Sequence, residues 1–88
     1  MHTVTARTEA RRAAKARAAL LAPYEAMSDR DLFRAYHLAD RLATNPQAAY
    51  TVISDRVNAR RIPIDYTGHT TGTEALVAAF RAHAEATA

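Results

Sequence analysis

Apolar residues recur at intervals of three and four along most of this 88-residue chain, the spacing that places them on one face of a helix. Short polar or proline-containing stretches interrupt this pattern. It predicts an extended segment at residues 62–72 and four helices, at about 6–22, 29–43, 46–61 and 74–86. The predicted fold is therefore all-α, a compact bundle of the last three helices preceded by the first.

Residues at the predicted boundaries support these limits. Pro23 has no amide N–H, so it is expected to end the first helix, which Thr5 or Thr8 can cap. Residues that cap, start or stop helices stand at the other boundaries, namely Ser28 with Asp31, Asn45 with Pro46, Pro63 and Thr73.

Candidate core positions follow from the same periodicity. The third predicted helix is apolar on two sides, so it is expected to be the central one. In the extended segment, Ile62, Ile64 and Tyr66 alternate with other residues, which is typical of extended chain packed against helices. Other residues predicted to be buried are Leu32, Tyr36, Ala39 and Ala43 in the second helix, widened by Ala35, Leu42 and Phe33, and Leu76, Phe80 and Ala84 in the last, with Val77 alongside. Large apolar residues are few, which favours a homodimer or a larger partner.

Charge is concentrated at the N-terminus. Residues 1–22 contain five basic residues and one acidic residue, a net charge of +4, whereas residues 23–88 contain seven basic and eight acidic residues, a net charge of −1. The chain is therefore divided into a basic arm, 1–22, and a helical body, 23–88, within a single domain. Because the apolar side of the arm is mostly alanine, the arm is expected to dock loosely or to project. Such an arm suits a polyanion or an acidic protein surface, and a merely solvated face is the alternative.

Two rows of basic residues are candidate binding surfaces. On the arm, Arg7, Arg11 and Lys15 form one stripe with Arg12 beside it. On the second predicted helix, the basic residues that follow one another at steps of four, three and four are Arg30, Arg34, His37 and Arg41. Since Asp29, Asp31 and Asp40 flank this second stripe, pairing within the helix is an alternative explanation for it.

The composition gives little indication of catalysis. The chain has no cysteine and no long apolar run, so we expect a cytoplasmic protein without disulfides, signal peptide or membrane span. Its four histidines share no spacing typical of a zinc site, and the turn from Gly68 to Thr73 lacks the lysine and the glycine spacing of a phosphate loop. We expect no enzymatic activity, metal or cofactor, and only incidental anion binding at that turn.

The tight connection formed by Thr44, Asn45 and Pro46 raises the possibility of a helix-turn-helix. Three polar residues of the third predicted helix could contact base edges, namely Gln47, Thr51 and Asn58. The first turn of that helix has no arginine or lysine, however, and the connection has no glycine. The following segment loosely resembles the wing and closing helix of excisionase-type winged domains, but Asp65 and His69 stand where such wings carry arginine.

The sequence predicts a small binding protein. The leading hypothesis is regulatory or architectural binding of nucleic acid, DNA in particular, in which the arm contacts phosphates and Arg30, Arg34 and Arg41 extend the path. The alternative is a protein-interaction module, such as an adaptor, an inhibitor or an assembly subunit. In that case Leu20, Leu21 and the alanine stripe of the arm would dock on the partner.

Overall fold

The computed structural model describes residues 2–87, and the side chains of residues 5–87, as an assembly of five helices. In chain order they are α1 (His2–Glu25), α2 (Asp29–His37), α3 (Ala39–Leu42), α4 (Pro46–Arg60) and α5 (Gly72–Thr87). The described residues contain no strand. The all-helical bundle predicted from the sequence is therefore confirmed, and the wing of a winged domain does not form.

The central helix is α4, which packs against α1, α2 and α5. Its two apolar sides explain this position, because neighbours on both sides bury them. The largest fully buried side chains come from three helices, and they are Leu32, Ile53, Val57 and Phe80. The weaker predicted apolar side consists of Ala48, Val52 and Ala59, of which Ala48 and Val52 are buried and Ala59 is exposed.

The first helix passes through the proline that was expected to end it. α1 begins at His2, so Thr5 and Thr8 lie inside it, and it continues past Pro23 to Glu25. A proline in a helix removes one backbone hydrogen bond and costs about 3 kcal/mol in the interior. Leu21 and Tyr24, on either side of Pro23, are buried in the core, and their burial offsets that cost near the end of the helix.

Among the described side chains of α1, those at its C-terminal end dock on the body. The hydroxyl oxygen of Tyr24 accepts a hydrogen bond from the backbone N–H of Asn45, at 2.7 Å, beside the start of α4. Residues 5–20, by contrast, are all exposed. A helix of 24 residues is about 36 Å long, and the molecule measures 52 × 27 × 24 Å. The arm therefore projects from the body.

The second predicted helix is broken at Leu38 into α2 and α3. Its start is as predicted, with Ser28 Oγ accepting the N–H of Asp31 at 3.2 Å. At the break, the hydroxyl of Thr44 donates to the carbonyl oxygen of Ala35, a group that accepts the N–H of residue 39 in an unbroken helix. Leu42 and the neighbouring Ala43 are exposed as a result, contrary to the prediction that they are buried.

Both ends of α4 have well-formed caps. At its start, Asn45 Oδ1 accepts the N–H groups of Gln47 and Ala48 at 3.0 and 3.2 Å, as predicted. The helix ends before Pro63, at Arg61, which has the left-handed φ of 53°. The N–H of Ile62 donates to the carbonyl of Val57, and the N–H of Arg61 to that of Asn58. This is a Schellman motif with arginine where glycine is usual.

The segment before α5 is only partly packed. Ile62 and Ile64 pack against the core as predicted, but Tyr66 is 63% exposed. The chain turns at Gly68, whose φ of 79° favours glycine. Thr71 caps α5 in place of the predicted Thr73, because its Oγ1 accepts the N–H of Glu74 at 3.1 Å.

The apolar face of α5 agrees only in part with the predicted one. Phe80 and Val77 are buried as predicted, and Ala75 is buried with them. Leu76 and Ala84, which were predicted to be buried, are only half-buried.

Candidate functional site

The basic side chains of α1 lie on the projecting part of the helix. Arg7, Arg11, Arg12 and Lys15 are all exposed. Within residues 2–87, none of the four forms an ion pair. Arg7, Arg11 and Lys15 span about 12 Å along the helix axis. Their charge is therefore available to a partner along a continuous line.

This stripe faces away from the side on which the arm docks. At 100° per residue, the mean direction of Arg7, Arg11 and Lys15 lies roughly 110° around the axis from that of Leu21 and Tyr24. Since Leu21 and Tyr24 are buried against the body, a partner can approach the stripe without displacing the arm.

The structure divides the stripe predicted on the second helix. Arg30, Arg34, His37 and Arg41 are all exposed. Arg30 and Arg34 lie together on α2 and line one groove, whereas Arg41 lies on α3, beyond the break at Leu38, and lines a different cavity beside Asp40. A single path from Arg30 to Arg41 along one helix is therefore not present.

The acids near this stripe form no ion pair with it within residues 2–87. Among residues 2–87, Asp31 and Asp40 form no ion pair, and Asp29 pairs instead with α4. Arg56 Nη1 donates to Asp29 Oδ1 at 2.8 Å, and Arg60 Nη1 donates to Asp29 Oδ2 at 2.6 Å. Pairing within the helix, the alternative explanation for the stripe, is thus wrong for this structure.

The pair of arginines on α4 also fixes the α1–α2 connection. Arg56 Nη2 donates to the backbone carbonyls of Glu25 and Met27, at 3.0 and 2.7 Å. The hydrogen bond from Arg60 and the one from Arg56 hold the pKa of the Asp29 carboxyl below its ordinary value, against the opposing effect of burial. The base of the arm is therefore held by charge as well as by the core. No sequence pattern indicates this cluster, because the residues that bond to each other are 27 to 31 positions apart.

The polar residues proposed to contact bases are spread along α4. Gln47 and Asn58 are exposed, while Thr51 is half-buried and its hydroxyl donates to the carbonyl of Gln47 at 2.9 Å. Gln47 and Asn58 are about 16 Å apart along the axis. The connection from Thr44 to Pro46, which suggested a helix-turn-helix, joins α4 to α3, a helix of four residues. The longer α2 is separated from α4 by α3.

One basic residue that the sequence did not single out joins the α2 side chains. Arg81 of α5 lies over the ring of Phe33, with its guanidinium carbon 5.4 Å from the ring centroid, and its Nε donates to Glu85 Oε1 at 3.1 Å. The ring of His37 is stacked with that of Phe33, with centroids also 5.4 Å apart. Only the packing of α5 on α2 brings these residues together. In the sequence, the four-residue spacing of Phe33 and His37 was compatible with contact between their rings.

In the turn before α5, the hydrogen-bond donors of Thr70 bind the carboxylate of Glu74. The hydroxyl and the N–H of Thr70 both donate to Glu74 Oε2, at 2.6 and 3.2 Å, and they lower the pKa of the Glu74 carboxyl. Glu74 therefore occupies the position at which we expected incidental anion binding. Within the described part of the chain, no three histidine or acidic residues come together in a way that could hold a metal ion.

No helix of the described residues has the length and apolar character needed to cross a membrane. Comparison of the chain with protein-family models, with curated proteins and with solved structures finds no match. Function is therefore inferred from the charge and geometry of the chain itself.

Proposed function

We propose that this chain is a nucleic-acid-binding protein of a regulatory or architectural kind, without catalytic activity, in which α1 contacts the phosphates of DNA. One observation carries the proposal. Four basic side chains, those of Arg7, Arg11, Arg12 and Lys15, are exposed on a helix that projects from the body, and none is paired within residues 2–87. Duplex DNA offers them one negative charge for about every 1.7 Å of its axis.

Binding of this kind derives mainly from the release of counterions from DNA. Each phosphate that a basic side chain neutralises releases about one condensed ion, so affinity falls steeply with salt. Any sequence preference would come from side chains of α4, for which Gln47 and Asn58 are the exposed candidates and Thr51 is a weaker one. We therefore expect strong dependence on charge and weak dependence on sequence.

The experiment compares two triple variants of the full chain for binding to a labelled duplex at low salt. Arg7→Gln/Arg11→Gln/Lys15→Gln removes the stripe, and we expect most of the affinity to be lost. Arg7→Lys/Arg11→Lys/Arg12→Lys keeps its charge, and binding should be retained, because a phosphate accepts either cation. Equal binding by wild type and the glutamine variant would contradict the proposal. Deletion of residues 1–22 is a poorer test, since it removes Leu21 from the core.

A second candidate function, docking on a partner protein, is favoured by one observation. Leu20 is 49% exposed next to the buried Leu21, and the alanines that precede it on α1 are exposed as well. Leu21 itself packs in the core, so the predicted docking face reduces to Leu20 and alanine. Leu20→Ser would abolish binding to a protein groove but leave DNA binding unchanged.

A further inference from the structure

A groove between α2 and α5 is lined by basic side chains that do not belong to the arm. It is lined by Arg30, Phe33, Arg34, Arg81, Ala84 and Glu85 and has a volume of about 380 Å³. We call these six residues the basic groove. Three guanidinium groups and one carboxylate give it a net charge of +2. The groove and the arm share no residue.

The two walls of the groove differ in their contacts. Arg81 lies over the ring of Phe33 and is paired with Glu85, while 61% of its side chain remains exposed. Arg30 and Arg34, on the opposite wall, are exposed and form no ion pair within the described residues. Planar guanidinium groups in a partly ordered arrangement are well suited to bidentate contacts with phosphate oxygens.

We propose that the basic groove is a second phosphate-binding site for nucleic acid, separate from the arm, with Arg30, Arg34 and Arg81 as its contacts. This inference rests on the proposed function. Residues four apart on a helix have Cβ atoms about 6 Å apart, comparable to the advance of one to two nucleotides at about 3.4 Å each along a strand. Arg30 and Arg34 can therefore contact neighbouring phosphates. Arg41, which lines another cavity, is not part of this site.

The test measures how duplex affinity changes with salt concentration for variants of the full chain. Arg30→Gln and Arg34→Gln should each reduce the slope of log K against log salt by about one. Arg61→Gln is the matched control, because Arg61 is exposed and belongs to neither the groove nor the arm. The salt slope of this variant should equal that of wild type.

Removal of a negative charge from the groove provides an independent check. Glu85→Gln removes the carboxylate of the basic groove, so it should strengthen binding several-fold and steepen the slope. Asp55→Asn makes the same change of charge on an exposed part of α4 that lies outside the groove, and it should leave both quantities unaltered. If Glu85→Gln and Asp55→Asn behave alike, and Arg30→Gln behaves like Arg61→Gln, the groove makes no phosphate contact.

The outcomes separate this inference from the function on which it rests. A wild-type chain that fails to bind duplex at low salt contradicts the proposed function. A chain that binds through the arm, but whose slope is indifferent to the groove variants, contradicts the second site alone. A third outcome would also overturn the inference. If Arg30→Gln and Arg34→Gln weaken the binding of polyglutamate but leave the salt slope of duplex binding unchanged, the basic groove binds an acidic protein and not nucleic acid.

Discussion

The carboxylate of Asp29 lies between two guanidinium groups of α4 and retains 19% of its side-chain exposure. It accepts one hydrogen bond from each arginine. Hydrogen bonds to charged groups contribute about 1.5–3 kcal/mol each when they are shielded from water. Because Arg60 is itself 40% exposed, its share is reduced by solvent screening. We therefore expect both arginines to stabilise the junction of α1, α2 and α4, with the contribution of Arg60 reduced by its exposure.

Asp29→Asn should lower the free energy of unfolding by about 1–3 kcal/mol at neutral pH. The folded-state pKa of Asp29 is depressed, chiefly by the hydrogen bond from Arg60. Its contribution is therefore complete above the unfolded pKa, near 3.9, and is lost as the pH falls through the folded value. Urea unfolding between neutral pH and pH 3 should show the wild-type and variant curves converging in acid.

Asp55→Asn is the control for that series. Asp55 is an exposed carboxylate on the same helix and forms no ion pair within residues 2–87. Its replacement should change stability by no more than about 0.5 kcal/mol at any pH. A constant difference between wild type and Asp29→Asn across the pH range would show that the carboxylate is not stabilised by its arginine partners.

Individual residues were predictable where their partners are close in sequence. Ser28 and Asn45 cap α2 and α4 as expected, because a capping side chain needs only the next two or three N–H groups. The bonds from Arg56 to Asp29 and Met27 join residues 27 and 29 positions apart. No local pattern records such a pair, and only the packing of α4 on the α1–α2 connection creates it.

At the level of elements, the end of α4 carries a measurable strain. Arg61 adopts a φ of 53°, which costs a residue with a Cβ roughly 1–2 kcal/mol. Arg61→Gly should relieve this, and after the greater entropy of unfolded glycine is deducted, the free energy of unfolding should rise by up to about 1 kcal/mol. Ala59→Gly, at an exposed position in the last turn of α4, should lower it by about 1 kcal/mol. A decrease for both variants would contradict the left-handed cap.

α1 should differ sharply in stability along its length. Residues 5–20 are exposed, and an unsupported helical segment of this length is marginal in water. We expect amide hydrogens in this region to exchange with deuterium much faster than those of α4 around Ile53, which is fully buried. Exchange followed residue by residue by NMR measures this directly. Equal protection in both helices would mean that the arm is covered by something in solution, such as a second copy of the chain.

Two of the wrong element boundaries, the end of α1 and the break at Leu38, are explained by tertiary contacts. Pro23 and the unbroken run of helix-forming residues across Leu38 are local features, and each was overruled by a tertiary contact. Burial of Leu21 and Tyr24 carries α1 past the proline. The hydroxyl of Thr44 takes the carbonyl of Ala35 and ends α2 early. Local propensity predicted where helices occur, but not where packing extends or divides them.

At the scale of the whole molecule, the separation of charge was visible before the fold. The +4 arm is a matter of composition, and the low burial expected of an alanine-rich helix agrees with its exposure in the structure. The second basic surface was not predictable in full, because Arg81 reaches Arg30 and Arg34 only through the packing of α5 on α2. Arg41 was predicted on the same helix as Arg30 and Arg34, but it lies on α3, beyond the break at Leu38.

The central claim is that the exposed arm contacts phosphates, and its most direct test is the salt dependence of duplex binding by the unaltered chain. Four arm contacts predict a slope of log K against log salt of about −3 to −4, and steeper if the basic groove contributes. Arg7→Gln/Arg11→Gln/Lys15→Gln should reduce its magnitude by about three. Absence of binding at low salt, or a slope that this substitution leaves unchanged, would contradict the account.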